Sequence, residues 1–348
     1  MSKKLLGVID ATIKYDDLDG LTAHRSLVAI PIAGRYRMID FVLSSMVNSG
    51  IQSMALFTTY PYSSLLDHLE SGKNWNLSRK RDGLFFFPSP HLDVPRAGIG
   101  SFTHFAANMD YFKRASQEYS LIANCYTIMN MDFRPALEKH MEKGCDITEI
   151  YHNGRPLDMY LVKTSLLIDL VETRSETGYT CMKDVVNGNH SFTRCIYEYP
   201  NHAFVINSVE SYYAVSMELL KHSVRRDLFL ITQPIYTKVK DEPPTRYRKG
   251  AVVNNALIAN GCILEGTVEN SIISRAVKIG KGSVVKNSVI MQKCQIGENC
   301  VIDSAILDKD VRIEPGTVLI GSEKHPFVVP KGTVQGALMN CESIIRCK

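Results

Sequence analysis

Hydrophobic and polar positions in the first two thirds of the chain alternate between short apolar runs and longer amphipathic stretches. "LLGVI", "SMALFTT" and "YSLIANC" have the length and apolar character of buried strands. "RYRMIDFVLSSMVNSG", "SSLLDHLESG" ending at Gly72, "THFAANMDYFKRA" and "ALEKHMEKGCD" stopping at Gly144 are amphipathic and predict helices. Strands that alternate with helices of this length predict an α/β domain, with a mostly parallel sheet covered on both faces. It is expected to occupy residues 1–240.

Around "VKDEPPTRYRKG" the pattern changes, and paired prolines among charges mark a linker over 241–250. Beyond it four short segments repeat, beginning at Asn255, Asn270, Asn287 and Asp303. Between them, Ile279-Gly, Ile296-Gly and Ile313-Glu recur at a spacing of seventeen residues. An aliphatic residue about every six positions, with glycine or small polar residues between, is the hexapeptide signature of a parallel β-helix. Three hexads make one triangular coil, so residues 251–348 are expected to form a β-helix that cannot bury its own ends.

Composition narrows the class further. With 348 residues there is room for two domains. The apolar fraction of 45% and net charge of +4, spread along the chain, are those of an ordinary soluble protein, with no case for nucleic-acid or membrane binding. Nine cysteines without a CxxC pair argue against a zinc site or a disulfide framework and for thiols in a reducing compartment. The apolar run before Asp10 is too short for a signal-peptide core, so the expected location is the cytoplasm.

The segment 21–51, "LTAHRSLVAIPIAGRYRMIDFVLSSMVNSGI", resembles the region after the phosphate loop of bacterial ADP-glucose pyrophosphorylases, the glucose-1-phosphate adenylyltransferases. "FTTYPYSSLLDHLESGKNW", "IGSFTHFAANMDYF" and "VESYYAVSMELL" resemble later blocks of that family, in the family's order. With the repeats, the resemblance covers nearly the whole chain. It implies a Rossmann-like nucleotidyltransferase domain followed by a left-handed β-helix.

The departures fall on the chemistry. Where the family has a glycine-rich loop to cradle the triphosphate, this chain has "GVIDATIKYDDLDG", whose acids at 10, 16, 17 and 19 repel phosphate. Leu27 stands at the family's phosphate-contacting lysine and Thr59 at its base-reading glutamine. Tyr126 and Val205 stand at the two aspartates that hold Mg²⁺. Magnesium needs hard oxygen ligands and nucleotidyl transfer depends on it, so the resemblance implies no catalytic residues, no metal and no cofactor in this chain; Mg²⁺ enters only through a catalytic partner.

Basic residues survive. His24, Arg25, Arg35 and Arg37 flank the Ala33-Gly34 turn, a region that in the resembling family contributes to an anionic effector site. The same arginines also suit solvated surface or pairing with the chain's own acids. Asp40 is expected to anchor its helix through Arg37 and Ser44, Asp132 to begin a helix, and Phe85-Phe86-Phe87 to be core or a subunit contact. The expected role is a regulatory, weakly catalytic or inactive subunit in a mixed tetramer with a catalytic ADP-glucose pyrophosphorylase subunit, tuned by an anion. The alternatives are an active adenylyltransferase and a stand-alone sugar-nucleotide binding protein. A hexapeptide acyltransferase is disfavoured, because the repeats from Ala251 to Gly321 contain no histidine.

Overall fold

The computed structural model describes residues 4–79, 82–89, 98–188 and 192–336. The strands of the first domain are β1 Leu5–Ala11, β2 Pro31–Ile32, β3 Tyr36–Arg37, β4 Ser53–Thr58, β5 Gly83–Pro88, β6 Tyr119–Asn124, β7 Thr127–Ile128, β8 Ile147–His152, β9 Arg155–Lys163, β10 Arg194–Glu198 and β11 Phe204–Val205. Seven of them form one sheet in the order β10-β8-β9-β6-β1-β4-β5. β5, β4, β1 and β6 run parallel, β9 is antiparallel to β6 and β8, and β10 is parallel to β8. β1, β4 and β6 are buried along their whole length, which is why they read as continuous apolar runs rather than alternations. Two apolar layers result, one on each side of this sheet.

The helices depart from the sequence reading at their ends. Met38–Asn48 begins after Tyr36–Arg37, which pair as strand β3 with β2. Ser63–Leu69 stops before Gly72, because Glu70 takes a left-handed φ of 51°. The stretch "THFAANMDYFKRA" is two helices, Phe102–Ala107 and Met109–Arg114. At the break the Asn108 side chain donates to the His104 carbonyl at 3.0 Å, so a side chain takes the carbonyl that a continuing helix would bond through its backbone. Arg134–Glu142 ends as expected beside Gly144, whose φ is 62°.

The cysteine reading needs a correction. Cys145, two residues before β8, and Cys195 in the neighbouring strand β10 are joined, with Cα atoms 6.0 Å apart. Fifty residues separate them, and only strand pairing brings them together. Five further cysteines, at 125, 181, 262, 294 and 300, are free and buried. Cys341 and Cys347 lie outside the described residues, as does the end of the expected β-helix span from 337 onward.

The C-terminal part is a left-handed parallel β-helix of three sheets. Its first strand, Arg246–Tyr247, falls inside the stretch read as a linker and pairs with Ile263–Leu264. Inward residues from successive coils, such as Leu264, Ile279, Ile296 and Ile313, stack into a core of their own. Asn255, Asn270, Asn287 and Ser304 turn one corner with φ between 44° and 51°. The fourth corner is thus Ser304, one residue past the aligned Asp303. Asparagine tolerates the left-handed region through its short polar side chain, so it marks this corner in the sequence.

The three outer faces differ. One, built from Leu257–Ile258, Ile272–Ile273, Val289–Ile290, Ala305–Leu307 and Phe327–Val329, turns Ile272, Val289 and Ile306 into the first domain's apolar core. Tyr213 of helix Val209–Glu218 seals that contact, its hydroxyl donating to the Asn287 carbonyl at 2.6 Å. No helix among the described residues is long and apolar enough to cross a membrane.

Candidate functional site

A cleft of about 430 Å³ opens at the C-terminal ends of β1 and β4, the side on which open α/β sheets bind ligands. Leu27 and Thr59 both line it, with Lys14, Tyr15, Asp16 and Arg25. Leu27 heads a buried turn, Leu27–Ala29, so a hydrocarbon faces the cleft where a phosphate contact would stand.

β1 reaches this cleft at Ala11, and the acid just before it, Asp10, does not act as the sequence suggests. Its carboxylate is buried and accepts from the Thr12 amide (3.0 Å) and hydroxyl (2.6 Å) and from the amides of Gly100 (2.7 Å) and Ser101 (3.2 Å). Four donors satisfy its oxygens, and it staples a distant loop to β1. Of the acids in this stretch, Asp16 lines the cleft.

Tyr126 and Val205, far apart in sequence, are brought close by strand pairing. β7 and β11 pair antiparallel with Val205 opposite Thr127, and the Ile206 amide donates to the Tyr126 carbonyl at 2.9 Å. The Tyr126 hydroxyl donates to Asp158 Oδ2 at 2.8 Å, and the Tyr160 hydroxyl donates to Oδ1 at 3.4 Å. Tyr15 packs edge-on against the Tyr126 ring, centroids 5.4 Å apart. Burial, and then the charge of Asp158, push ionisation of Tyr126 far above the ordinary phenol range, so it stays a neutral donor. A committed hydroxyl and an isopropyl group do not fit a magnesium ion. Asp158 is the carboxylate beside them, and a tyrosine hydroxyl engages each of its oxygens. Among the described residues no group of three or more His, Cys, Asp or Glu side chains could hold a metal. Asp132 is no substitute, because Arg134 grips it through three hydrogen bonds of 2.7 to 3.0 Å. Sequence reasoning missed Asp158: as one polar residue in the apolar run "PLDMYLV" it carries no local signal.

The surviving basic residues divide at the seam between the domains. Arg25 is 2% exposed and donates from Nη2 to both Asp308 oxygens, at 2.8 and 2.9 Å, and from Nη1 to the Leu21 carbonyl at 3.2 Å. It is thus an internal tie to the β-helix. Arg37 is buried and donates to the Ser64 carbonyl and hydroxyl, while its amide donates to Asp40 Oδ2 at 2.9 Å. Asp40 does anchor its helix, but its second oxygen goes to His68 Nε2 at 2.6 Å rather than to Ser44. Arg35 is exposed, its guanidinium 4.9 Å above the Tyr36 ring, and His24 is exposed.

Three cations that the sequence reading missed crowd the same seam. Lys309 is pulled down to about 7, first by burial and then by Arg37 and Arg25, against the opposing charge of Asp308. Burial, then Arg275 and Arg37, lower Lys240; burial, then Arg35, lower Arg275. Burial is also the main cause lowering Arg37, with Arg25 and Arg275 adding to it. Each cation raises the energy of the others, a condition that a bound anion relieves. Their positions in three separate segments explain why no sequence signal marks them.

The Nucleotidyl transferase family matches residues 17–156, and the GlmU-like C-terminal hexapeptide family matches 240–326. The glycogen biosynthesis protein GlgD of Bacillus subtilis (strain 168) is 54% identical over 340 residues, covering 97% of this chain and 99% of that protein. GlgD of Geobacillus stearothermophilus is 57% identical over 342 residues, 98% of this chain and 100% of its own length. The glucose-1-phosphate adenylyltransferase of Geobacillus stearothermophilus is 27% identical over 327 residues, 82% of this chain and 84% of the relative. With near-complete coverage at more than half identity, against about a quarter for the adenylyltransferases, the chain belongs to the GlgD family of glycogen biosynthesis proteins.

Proposed function

We propose that this chain is a regulatory, catalytically weak or inactive subunit in glycogen biosynthesis, modulating a catalytic glucose-1-phosphate adenylyltransferase that makes ADP-glucose from ATP and glucose 1-phosphate. The observation that carries the reading is the Tyr126 hydroxyl committed to Asp158 beside Val205, where metal-binding carboxylates are needed. Without that charge neutralisation, in-line transfer at a nucleotide phosphate lacks its main electrostatic support.

The cation-rich seam supports the second half of the proposal, an anionic effector held between the domains. Arg37, Lys240, Arg275 and Lys309 are its binding groups, and Arg25 keeps the two domains in register through Asp308. An anion gains there by relieving repulsion among cations of which Arg37 is buried, Arg275 and Lys309 are half-buried and Lys240 is exposed, and it draws β-helix and first domain together. That differential contact is what coupling to a partner subunit in a mixed, cytoplasmic tetramer needs.

The test is kinetic. Purified chain alone is assayed with ATP, Mg²⁺ and glucose 1-phosphate; then a catalytic adenylyltransferase is assayed with and without it. Negligible turnover alone, together with a changed kcat/KM or anion response of the catalytic enzyme, is expected. Turnover alone at the catalytic enzyme's rate refutes the proposal, and so does absence of any effect on that enzyme.

A further inference from the structure

Two faces of the β-helix are accounted for. One is covered by the first domain, and another, lined by Arg248, Glu265, Lys278, Gln295, Arg312 and Glu314, is charged. The third is built from Val252–Asn254, Thr267–Glu269, Val284–Lys286, Val301–Asp303 and Val318–Ile320 in parallel register. Its central residues Val268, Val285, Ile302 and Leu319 point into the coil and are buried. The residues on either side point outward as two columns. One column is Val252, Thr267, Val284, Val301 and Val318, β-branched at every rung; the other is Asn254, Glu269, Lys286, Asp303 and Ile320. Val252 is 56% exposed, Val301 38%, Val318 45% and Ile320 64%, while Thr267 and Val284 between them are half-buried, so the apolar ladder is open to water chiefly toward its two ends. Scattered exposed valines need no explanation, but a registered ladder on one flat face marks an interaction surface.

We propose that this face docks on the same face of a second copy of the chain, the two β-helices antiparallel about a two-fold axis along the strands. That operator lays each column on its own counterpart in reverse order. Valine then meets valine or threonine. The charged column reads minus, plus, minus at Glu269, Lys286 and Asp303, and it is unchanged by reversal. In exact opposition lysine faces lysine, whereas a shift of one rung pairs each Lys286 with a carboxylate of the other copy. Lys286 already touches Glu269 within the chain at 3.0 Å and carries further donors for such a contact. Charge complementarity therefore fits a second copy offset by one rung, in either direction, and disfavours exact opposition. The pairing is independent of the regulatory reading above, because it concerns the chain by itself.

Sedimentation velocity of the full chain tests it. At about 50 µM the wild type is expected to be dimeric, dissociating on dilution. Val301→Lys/Val318→Lys is expected to sediment as a monomer with an unchanged circular dichroism spectrum, since both side chains point to solvent. Lys286→Glu makes its column all negative, and Glu269→Lys/Asp303→Lys makes it all positive. Each alone should self-associate at least about tenfold more weakly, while an equimolar mixture of the two should form a dimer. A monomeric wild type overturns the proposal. So does dimerisation unaffected by the valine substitutions, a mixture no tighter than its components, or a face that engages only a catalytic adenylyltransferase subunit.

Discussion

The tie between Arg25 and Asp308 is the most exacting point at which to test the seam. Both side chains are 3% exposed, and the pair joins residues 283 positions apart in different domains. Asp308→Ala leaves the Arg25 guanidinium, among the described residues, with the Leu21 carbonyl at 3.2 Å. It also strips Lys309 of the Asp308 charge that opposes Arg37 and Arg25. Removing one partner of a buried pair costs roughly 3–5 kcal/mol, because an uncompensated charge stays in a low-dielectric site. With an m-value of about 3 kcal/mol/M, the urea midpoint should fall by roughly 1 to 1.7 M. The double variant Arg25→Met/Asp308→Leu removes both charges and should recover most of that loss. Phosphate should stabilise Asp308→Ala more than the wild type, since an anion can replace the missing carboxylate. The reasoning is refuted if Asp308→Ala loses less than about 1 kcal/mol, or if the double variant is no more stable than the single.

Other outcomes follow from the same geometry. Lys309 titrates near 7 in the folded chain, below its unfolded value, so the unfolded chain binds the extra proton and folding stability rises with pH between about 7 and 10. An anion at the seam holds that proton on, so phosphate binding measured by calorimetry should weaken as pH climbs through this window, and Lys309→Met should flatten the trend. Gly280→Ala puts a Cβ 2.5 Å from the Gly297 carbonyl oxygen and 2.6 Å from its carbon, backbone that cannot swing aside, and should cost about 3 kcal/mol by urea denaturation. The Cys145–Cys195 link closes a loop of fifty residues, so reductant should lower stability by up to about 4 kcal/mol, and Cys195→Ser should show the same loss without reductant.

The sequence by itself determined what depends on local period. Unbroken apolar runs foretold β1, β4 and β6, because a strand buried on both faces has no polar alternation to show. The seventeen-residue recurrence foretold the β-helix, because each coil repeats the same inward positions. Legible too was that Leu27, Tyr126 and Val205 carry neither a carboxylate nor an ammonium group. Helix ends were less legible, since side-chain groups such as Asn108 and left-handed residues such as Glu70 decide them within one turn. Only the tertiary structure decided where the surviving charges go. Asp10 became a staple, Arg25 a tie and Asp158 a partner for tyrosine, and Lys240, Arg275 and Lys309 converged on Arg37 from separate segments. The physical reason is one of range. Periodicity reports which way a side chain faces in its own element, whereas a charge's partner is set by which distant element folds against it.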